Sequence, residues 1–337
     1  MTPQQFIQSE ITNSYDSLSE IDQKELSSLG VEAFLYKKLT SKKFRKWRVD
    51  ELSEKQVRRA IHLAVSTNKP LQFRYPFGGY KLWRLPSTPE VDWAEFFAIA
   101  YYLRYLSPIA AAYKPGLELV FSSDDLIIER MDNIPKADTD NYFASFKKLL
   151  NVFRPNLPSN LKVNIVRIAD FYDDIPAMET ELSANVEKFK QEYQDIVDDD
   201  KKQKMYTMSA LNIKFDGAQD LTTLSADEKR AVIEMGPVYH DAYCSLAKRR
   251  EFNRGDDKIV LFTTPIPNAL AIGTTKTSVT KFWTGYGVLE SKSDTFAARV
   301  LSPEQLASVT IDKTPVSIDG LTGKNFETIG VITPLFG

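Results

Sequence analysis

The chain has 337 residues, 43% of them hydrophobic and 26% charged, and its formal net charge is −2. These values are typical of a soluble globular protein, and the small net charge excludes the strong positive field that holds nucleic acids or anionic membranes. The single cysteine excludes a disulfide framework within the chain, and two histidines are too few for most zinc sites.

No apolar run reaches the roughly 18 residues that a membrane helix needs. The first ten residues lack the cationic start and apolar centre of a secretory signal. We therefore expect a cytoplasmic protein with small-molecule substrates that binds neither nucleic acid nor membranes.

Residues 1–68 are predicted to form a helical N-terminal extension, because apolar residues recur three and four positions apart in 31–39 and 53–65. Between these helices, residues 42–48 form a basic cluster with aromatic residues interleaved. Two interpretations stay open: the cluster contacts nucleic acid or phosphate, or it is the solvated end of a helix.

Residues 69–337 are predicted to form an α/β catalytic core. Apolar strands separated by amphipathic helices indicate a mainly parallel, Rossmann-like sheet with helices on both faces. The strands expected from the sequence are 117–122, 161–170, 256–265 and 282–290, with shorter pieces at 308–311 and 328–332. The expected helices are 89–106, 136–153, 177–198, 226–235 and 237–252, the last two separated at Pro237.

Polar residues follow three of these strands. Asp124 and Asp125 end the first, Asp170 with Asp173 and Asp174 the second, and Thr263 the third. Because ligands of open α/β sheets bind beyond the carboxyl ends of the strands, these residues are expected to line one crevice. The alternative is that they only cap helices and form turns.

The turn before the long helix offers a second group of candidates. Gly78 and Gly79 supply accessible backbone N–H groups, and Lys81 and Arg84 could clamp a phosphate or carboxylate. A simple β-turn followed by surface cations is the alternative interpretation.

The helix after Pro237 carries the third group. His240 is a candidate general acid or base, and Cys244, on the same face, is interpreted as a buried structural thiol. Tyr243 and Arg249 are expected to border the same crevice.

Several of these stretches together resemble the isocyanide (isonitrile) synthase family, which includes pyoverdine and dityrosine biosynthesis proteins. The resemblance extends, with gaps, from Phe73 to Phe262. It is carried by Tyr75-Pro-Phe-Gly-Gly-Tyr-Lys81, Leu85-Pro86, Tyr113-Lys-Pro-Gly116, Ser123-Asp124-Asp125, and Tyr243 with Arg249-Arg250. Asp125 stands where the family has glycine, and Phe262-Thr-Thr-Pro265 lacks the family's histidine.

The resemblance implies an enzyme that condenses the amine of an amino acid with the ketone of a sugar phosphate such as ribulose 5-phosphate, without metal or nucleotide cofactor. It also implies which residues catalyse the reaction and which bind the substrates. The catalytic set is Asp124, His240 and Lys81, and the substrate-binding set is Gly78, Gly79, Arg84, Tyr243, Arg249 and Thr263.

Two other functions fit the same residues. In a metal-dependent glycosyl- or nucleotidyltransferase, Asp124 and Asp125 would hold Mg²⁺ or Mn²⁺ against a diphosphate. In a non-catalytic binding protein, the basic cluster 42–48 would contact the partner.

Overall fold

A parallel sheet of five strands forms the centre of the protein in the computed structural model, which describes residues 1–13, 15, 18–77, 81, 85, 88–126, 129, 134–194, 200, 223–274 and 279–333. The strands are β1 (Leu71–Phe77), β2 (Leu117–Ser123), β3 (Leu161–Arg167), β4 (Lys258–Phe262) and β5 (Ala269–Ala271). Their order is β3-β2-β1-β4-β5. From β1 the chain adds β2 and β3 on one side, and it then returns to the other side of β1 to add β4 and β5. This creates a topological switch point at the carboxyl ends of β1 and β4. This confirms the predicted Rossmann-like α/β fold.

Helices surround the sheet and supply most of the remaining regular structure. They are α1 (Pro3–Thr12), α2 (Glu20–Leu29), α3 (Val31–Leu39), α4 (Glu51–Thr67), α5 (Trp93–Ala112), α6 (Lys136–Phe153), α7 (Ile175–Gln194), α8 (Ala226–Cys244), α9 (Ala247–Asn253) and α10 (Pro303–Ala307). Helix α4 packs on β1, β4 and β5, and α3 packs on α4 and α5. No described helix is long and apolar enough to cross a membrane.

The two faces of the sheet have different coverings. On one face, Tyr75 lies 4.9 Å from Tyr102 of α5, and Phe77 lies 5.5 Å from Phe146 of α6, measured between ring centroids. On the other face, the guanidinium of Arg74 lies 4.6 Å from the ring of Phe252 in α9. Successive side chains of a strand point to opposite faces, so α5 and α6 cover one face and α9 the other.

A second sheet has the strand order β7-β6-β9-β8 and was not predicted as a unit. Its strands are β6 (Tyr286–Ser291), β7 (Phe296–Leu301), β8 (Ile311–Pro315) and β9 (Thr328–Ile332). Strand β9 lies between β6, to which it is parallel, and β8, to which it is antiparallel.

This second sheet contacts the start of α5. The indole N–H of Trp93 donates to the carbonyl of Thr328 at 2.8 Å. Gly287 of β6 lies directly against the backbone of α5, since a Cβ at this position would be 2.2 Å from the carbonyl carbon of Trp93. The sheet therefore fixes the first turn of α5, which belongs to the site described below.

The prediction that a helix break occurs at Pro237 is wrong. Helix α8 continues through Pro237 to Cys244, and the break comes at Ser245 and Leu246 before α9. Proline removes one helical hydrogen bond, but α8 packs along α7, and this tertiary contact outweighs the local loss. Arg249 therefore belongs to a separate short helix rather than to the end of α8.

Candidate active site at the carboxyl ends of the strands

The end of β2 lies beside the end of β1 and carries two buried acids. The backbone N–H of Asp124 donates to the carbonyl of Phe77 at 2.8 Å, and the exposed fractions of Asp124 and Asp125 are only 5% and 7%. Buried carboxylates require close partners. Each of these two acids is beside an arginine, but the arginines come from different elements.

Asp124 is bound by Arg249 of α9. Arg249 donates from Nε to Oδ1 at 3.1 Å and from Nη2 to Oδ2 at 2.9 Å, a bidentate geometry that only arginine provides. Burial alone would lower the pKa of Arg249, but Asp124 raises it, so the guanidinium stays charged. The ring of Tyr243 lies 5.3 Å from this guanidinium.

Helix α9 is held in place at its first turn. The N–H of Ala247 donates to Oε1 of Glu181 at 2.7 Å, and Oε2 of the same carboxylate accepts from the hydroxyl of Tyr172 at 2.9 Å. A carboxylate at a helix N-terminus satisfies free N–H groups and suits the helix dipole. The position of Arg249 is thus fixed by a residue of α7.

Asp125 is bound from the opposite side, by Arg167 at the end of β3. Nε of Arg167 lies 2.5 Å from Oδ2 of Asp125, and the hydroxyl of Ser123 donates to Oδ1. Arg167 also pairs with Asp140 of α6 at 2.5 Å and lies 4.4 Å from the ring of Phe143. Arg167 therefore joins β2, β3 and α6.

The pKa of Asp125 is raised to about 7. Burial is the main cause, Arg167 opposes it, and the nearby carboxylates of Glu129 and Asp124 add to it. A carboxyl group with this pKa is present in both protonation states near neutral pH, which is the property that general acid–base catalysis requires.

Lys81 occupies a closed site beside the start of α5. Its ammonium, fully buried, lies 2.6 Å from Oδ1 of Asp92 and 2.7 Å from Oε2 of Glu95. The same two acids form the capping box of α5, since Asp92 accepts from the N–H of Ala94 at 2.6 Å and Glu95 accepts from the N–H of Asp92 at 2.8 Å. Glu95 also accepts from the hydroxyl of Tyr142 at 3.0 Å.

These contacts decide the charge of Lys81. Burial alone would lower its pKa, but the carboxylates of Asp92 and Glu95 outweigh burial and raise the pKa. The side chain is therefore an ammonium that ties residue 81 to the first turn of α5. An ammonium without a lone pair is neither a base nor a nucleophile.

Among the described residues at this edge of the sheet, three buried donor nitrogens make no hydrogen bond: Nε and Nη2 of Arg167 and Nδ2 of Asn253. Nε of Arg167 still faces Oδ2 of Asp125 as an ion pair, and Oδ1 of Asn253 accepts from the hydroxyl of Ser122 at 2.9 Å. Native proteins satisfy nearly all buried polar groups. Donors left unsatisfied at the carboxyl ends of parallel strands indicate where a ligand can bind.

Thr263 lies at the switch point. Arg74 of β1 pairs with Val260 of β4, and continuing this register by three residues brings Thr263 level with Phe77. The side chain is buried, with an exposed fraction of 6%. Thr263 is thus one strand away from β2 and its two acids.

His240 lies on the exposed surface of α8, with 57% of its side chain accessible. Its Nδ1 is 3.0 Å from Oδ1 of Asp241, and its Nε2 is 3.7 Å from Sγ of Cys244. The hydrogen bond with Asp241 raises the pKa of His240 and favours the protonated ring. Cys244 is half-buried and interacts electrostatically with Arg249.

The other predicted residues are distributed as follows. Gly78, Gly79 and Arg84 lie outside the described residues. Asp170, Asp173 and Asp174 are exposed beyond the end of β3. Within the basic cluster 42–48, Arg45 is buried and donates to the carbonyls of Ala271 and Trp47, so it has a structural role.

In the part of the chain that the structure describes, no three His, Cys, Asp or Glu side chains are grouped as metal ligands are. Asp124 and Asp125 direct their carboxylates to two different arginines. Coordination of Mg²⁺ or Mn²⁺ by this pair stays a prediction.

A comparison with solved structures identifies a similar fold. The crystal structure of the PvcA protein from Pseudomonas aeruginosa matches with a TM-score of 0.63 and 14% sequence identity, over 90% of this chain and 99% of that one. The protein has the fold of PvcA. No protein-family model matches the chain, and no curated protein matches it.

Arg167 and Asn253 were not singled out from the sequence, and no site role was predicted for Asp92, Glu95 or Tyr142. The spacing of Asp92 and Glu95 is that of a capping box, and this signal could have located the true start of α5. Arg167 and Asn253 carry no such signal, because their roles depend on the neighbouring strand.

Proposed function

We propose that the protein is a biosynthetic enzyme resembling isocyanide synthases, which joins the amine of an amino acid to the ketone carbon of a sugar phosphate such as ribulose 5-phosphate. One observation carries the proposal. An unsatisfied donor of Arg167, Nη2, lies at the end of β3 beside Asp125, whose pKa is raised to about 7. Anion-binding donors beside a neutral-pH acid suit a phosphorylated carbonyl substrate.

The anion is assigned to Arg167. Besides Nε, which faces Asp125, its guanidinium has a second nitrogen without a hydrogen bond, Nη2, and planar donors of this kind bind phosphate or carboxylate oxygens. The resemblance implies that Lys81 is catalytic. In this proposal Lys81 has a supporting role instead, because its ammonium already pairs with Asp92 and Glu95.

The proton transfers are assigned to Asp125. When the amine nitrogen attacks the ketone carbon, a carbon–nitrogen bond forms and the carbonyl electron pair moves to oxygen, which takes a proton. Loss of this hydroxyl as water, with a proton from nitrogen, leaves an imine. A carboxyl group that is half protonated near neutral pH can donate the first proton and accept the second. Asp124, held by Arg249, would position the amine.

Support for the choice of reaction comes from the sequence. The stretches 75–81 and 123–124, which carry the resemblance to isocyanide synthases, include Lys81 and Asp124, whereas Asp125 stands where the family has glycine. The likeness to PvcA concerns the fold. The reaction itself must be tested with substrates.

The test incubates the protein with ribulose 5-phosphate and each aromatic amino acid, and follows both substrates and products by mass spectrometry. We expect consumption of both substrates and a product that contains the amino-acid nitrogen bound to a sugar carbon. Asp125→Asn should lower the rate by about 100-fold or more, the usual contribution of a general acid or base. Asp173→Asn, an exposed acid near the end of β3, is the matched control and should leave the rate unchanged.

Two results would count against the proposal. The first is that neither substrate is consumed by a protein whose melting curve shows it to be folded. The second is that Asp125→Asn and Asp173→Asn have equal rates, which would remove Asp125 from the reaction.

A further inference from the structure

A groove of about 490 Å³ lies on the face of the sheet opposite to α5. It extends from Arg74 on β1, across Val120 on β2, to the edge strand β3 and the end of α6. Phe252 and Phe171, with ring centroids 4.5 Å apart, line it near the carboxyl ends of the strands. None of the residues assigned above to the reaction lines this groove.

The charge of the groove is unbalanced. Arg74 is buried, with an exposed fraction of 6%, and donates only to neutral oxygens: the carbonyls of Phe252 and Phe73 and the amide of Gln72. Its ion-pair partner Glu118 is 4.0 Å away, beyond hydrogen-bond distance. Burial lowers the pKa of Arg74, and Glu118 and Asp257 offset only part of this effect. A buried cation whose counter-ion is distant is costly, and an incoming anion would supply a closer one.

Two further cations stand at the rim. Arg154 donates from Nη2 to Oδ1 of Asn164 at 2.9 Å, and the ammonium of Lys147 lies 4.4 Å from the ring of Phe143. Together with Arg74 they face a single lining carboxylate, Glu118. The lining of the groove therefore carries more cations than carboxylates.

The remaining walls are apolar. They consist of Val120, Ile165, Val166 and the stacked rings of Phe171 and Phe252. The volume lies within the range of about 300–1,000 Å³ that is usual for small-molecule pockets, which combine apolar walls with a few polar groups. The apolar walls suit a flat ring, and the cations suit an acid group attached to it.

We propose that this groove is a second binding site, for a small molecule that joins an oxyanion to a flat apolar body. The oxyanion contacts Arg74 and Arg154, Lys147 adds long-range attraction, and the body packs between the valines and Phe252. This site is independent of the reaction proposed above, since none of the residues assigned to that reaction lines the groove.

The test is calorimetric titration of the full chain with three probes that share one ring: phenyl phosphate, benzoate and phenol. We expect saturable binding of at least one of the two anions and no binding of phenol. Binding of phenyl phosphate alone identifies a phosphate ligand, and binding of benzoate alone identifies a carboxylate ligand. If neither anion binds, the proposal is overturned.

The double variant Lys147→Gln and Arg154→Gln locates the binding. Both side chains are exposed, so the variant should fold, and the dissociation constant of the bound anion should rise about tenfold or more, as expected for the loss of 1.4 kcal/mol. Lys148→Gln, an exposed cation next to Lys147, is the matched control and should bind as the wild type does. If Arg167→Gln abolishes binding and the double variant does not, the anion binds at the candidate active site and the groove is not a binding site.

Discussion

Asp124 and Asp125 are neighbours in the chain, but their carboxylates pair on opposite sides of β2. Asp124 is bound by Arg249 of α9, and Asp125 lies against Arg167, which stacks on Phe143 of α6. Helices α9 and α6 cover different faces of the sheet. The two acids therefore serve different elements, and the end of β2 has a guanidinium on each side.

Replacing Arg249 should destabilise the protein. Arg249→Gln leaves Asp124 buried without its cation, and the free energy of unfolding in urea should fall by about 3 kcal/mol. Arg250→Gln, at the exposed neighbouring position, should change it by less than about 0.5 kcal/mol. Adding Asp124→Asn to Arg249→Gln should recover part of the loss. Equal stabilities of Arg249→Gln and Arg250→Gln would contradict the role of the Asp124–Arg249 pair.

Asp125 should make stability depend on pH. Its folded pKa, about 7, lies above the ordinary value of 3.8, so the folded state binds the proton more tightly than the unfolded state. This contribution is fully present below about pH 4 and is lost as the pH rises to about 7. Compared with the wild type, Asp125→Asn should gain on the order of 4 kcal/mol in free energy of unfolding between pH 4 and pH 8. A constant difference between the two proteins over this range would show that Asp125 titrates normally.

Lys81 should be essential for stability and should not react with a ketone. Lys81→Met leaves Asp92 and Glu95 buried without their cation, and the free energy of unfolding should fall by about 3–5 kcal/mol. Lys69→Met, at an exposed position, is the control. Borohydride reduction in the presence of ribulose 5-phosphate should add no mass to the peptide that contains Lys81. A reduced adduct on that peptide would mean that Lys81 loses its proton and acts as a nucleophile.

Gly287 should tolerate no side chain. A Cβ at this position would be 2.2 Å from the backbone of Trp93 and 2.3 Å from that of Ala94, so Gly287→Ala must displace β6 or the first turn of α5. We expect a loss of about 3 kcal/mol in free energy of unfolding, the upper end of overpacking effects. In Gly30→Ala the new Cβ meets nothing within 4 Å, and only the positive φ of 76° adds a cost of about 1 kcal/mol. Equal melting temperatures for the two variants would contradict the close contact.

Strands β2, β3 and β4 of the central sheet could be predicted because they are mainly apolar, as in 117–121, where Glu118 is the one charged residue. The polar ends of these strands could be predicted from the residues that follow them. Strand β7 was missed because Phe296-Ala-Ala-Arg-Val-Leu301 has no clear alternation and is mostly half-exposed. Pro237 was misread because packing on α7 is invisible in the local sequence. Arg167 and Asn253 could not be predicted, because the partners that make them notable are distant in the chain.

The position of β9 has a consequence for synthesis of the chain. Strands β6 and β8 are made first, and both keep an unpaired edge until β9 is inserted between them. At about 5–20 residues per second, translation delays this insertion by one to several seconds after β8 has formed. Trp93 can bond to Thr328 only after that insertion, so the first turn of α5, whose acids Asp92 and Glu95 pair with Lys81, reaches its final support late. During this interval we expect the nascent protein to depend on chaperones that cover exposed strand edges.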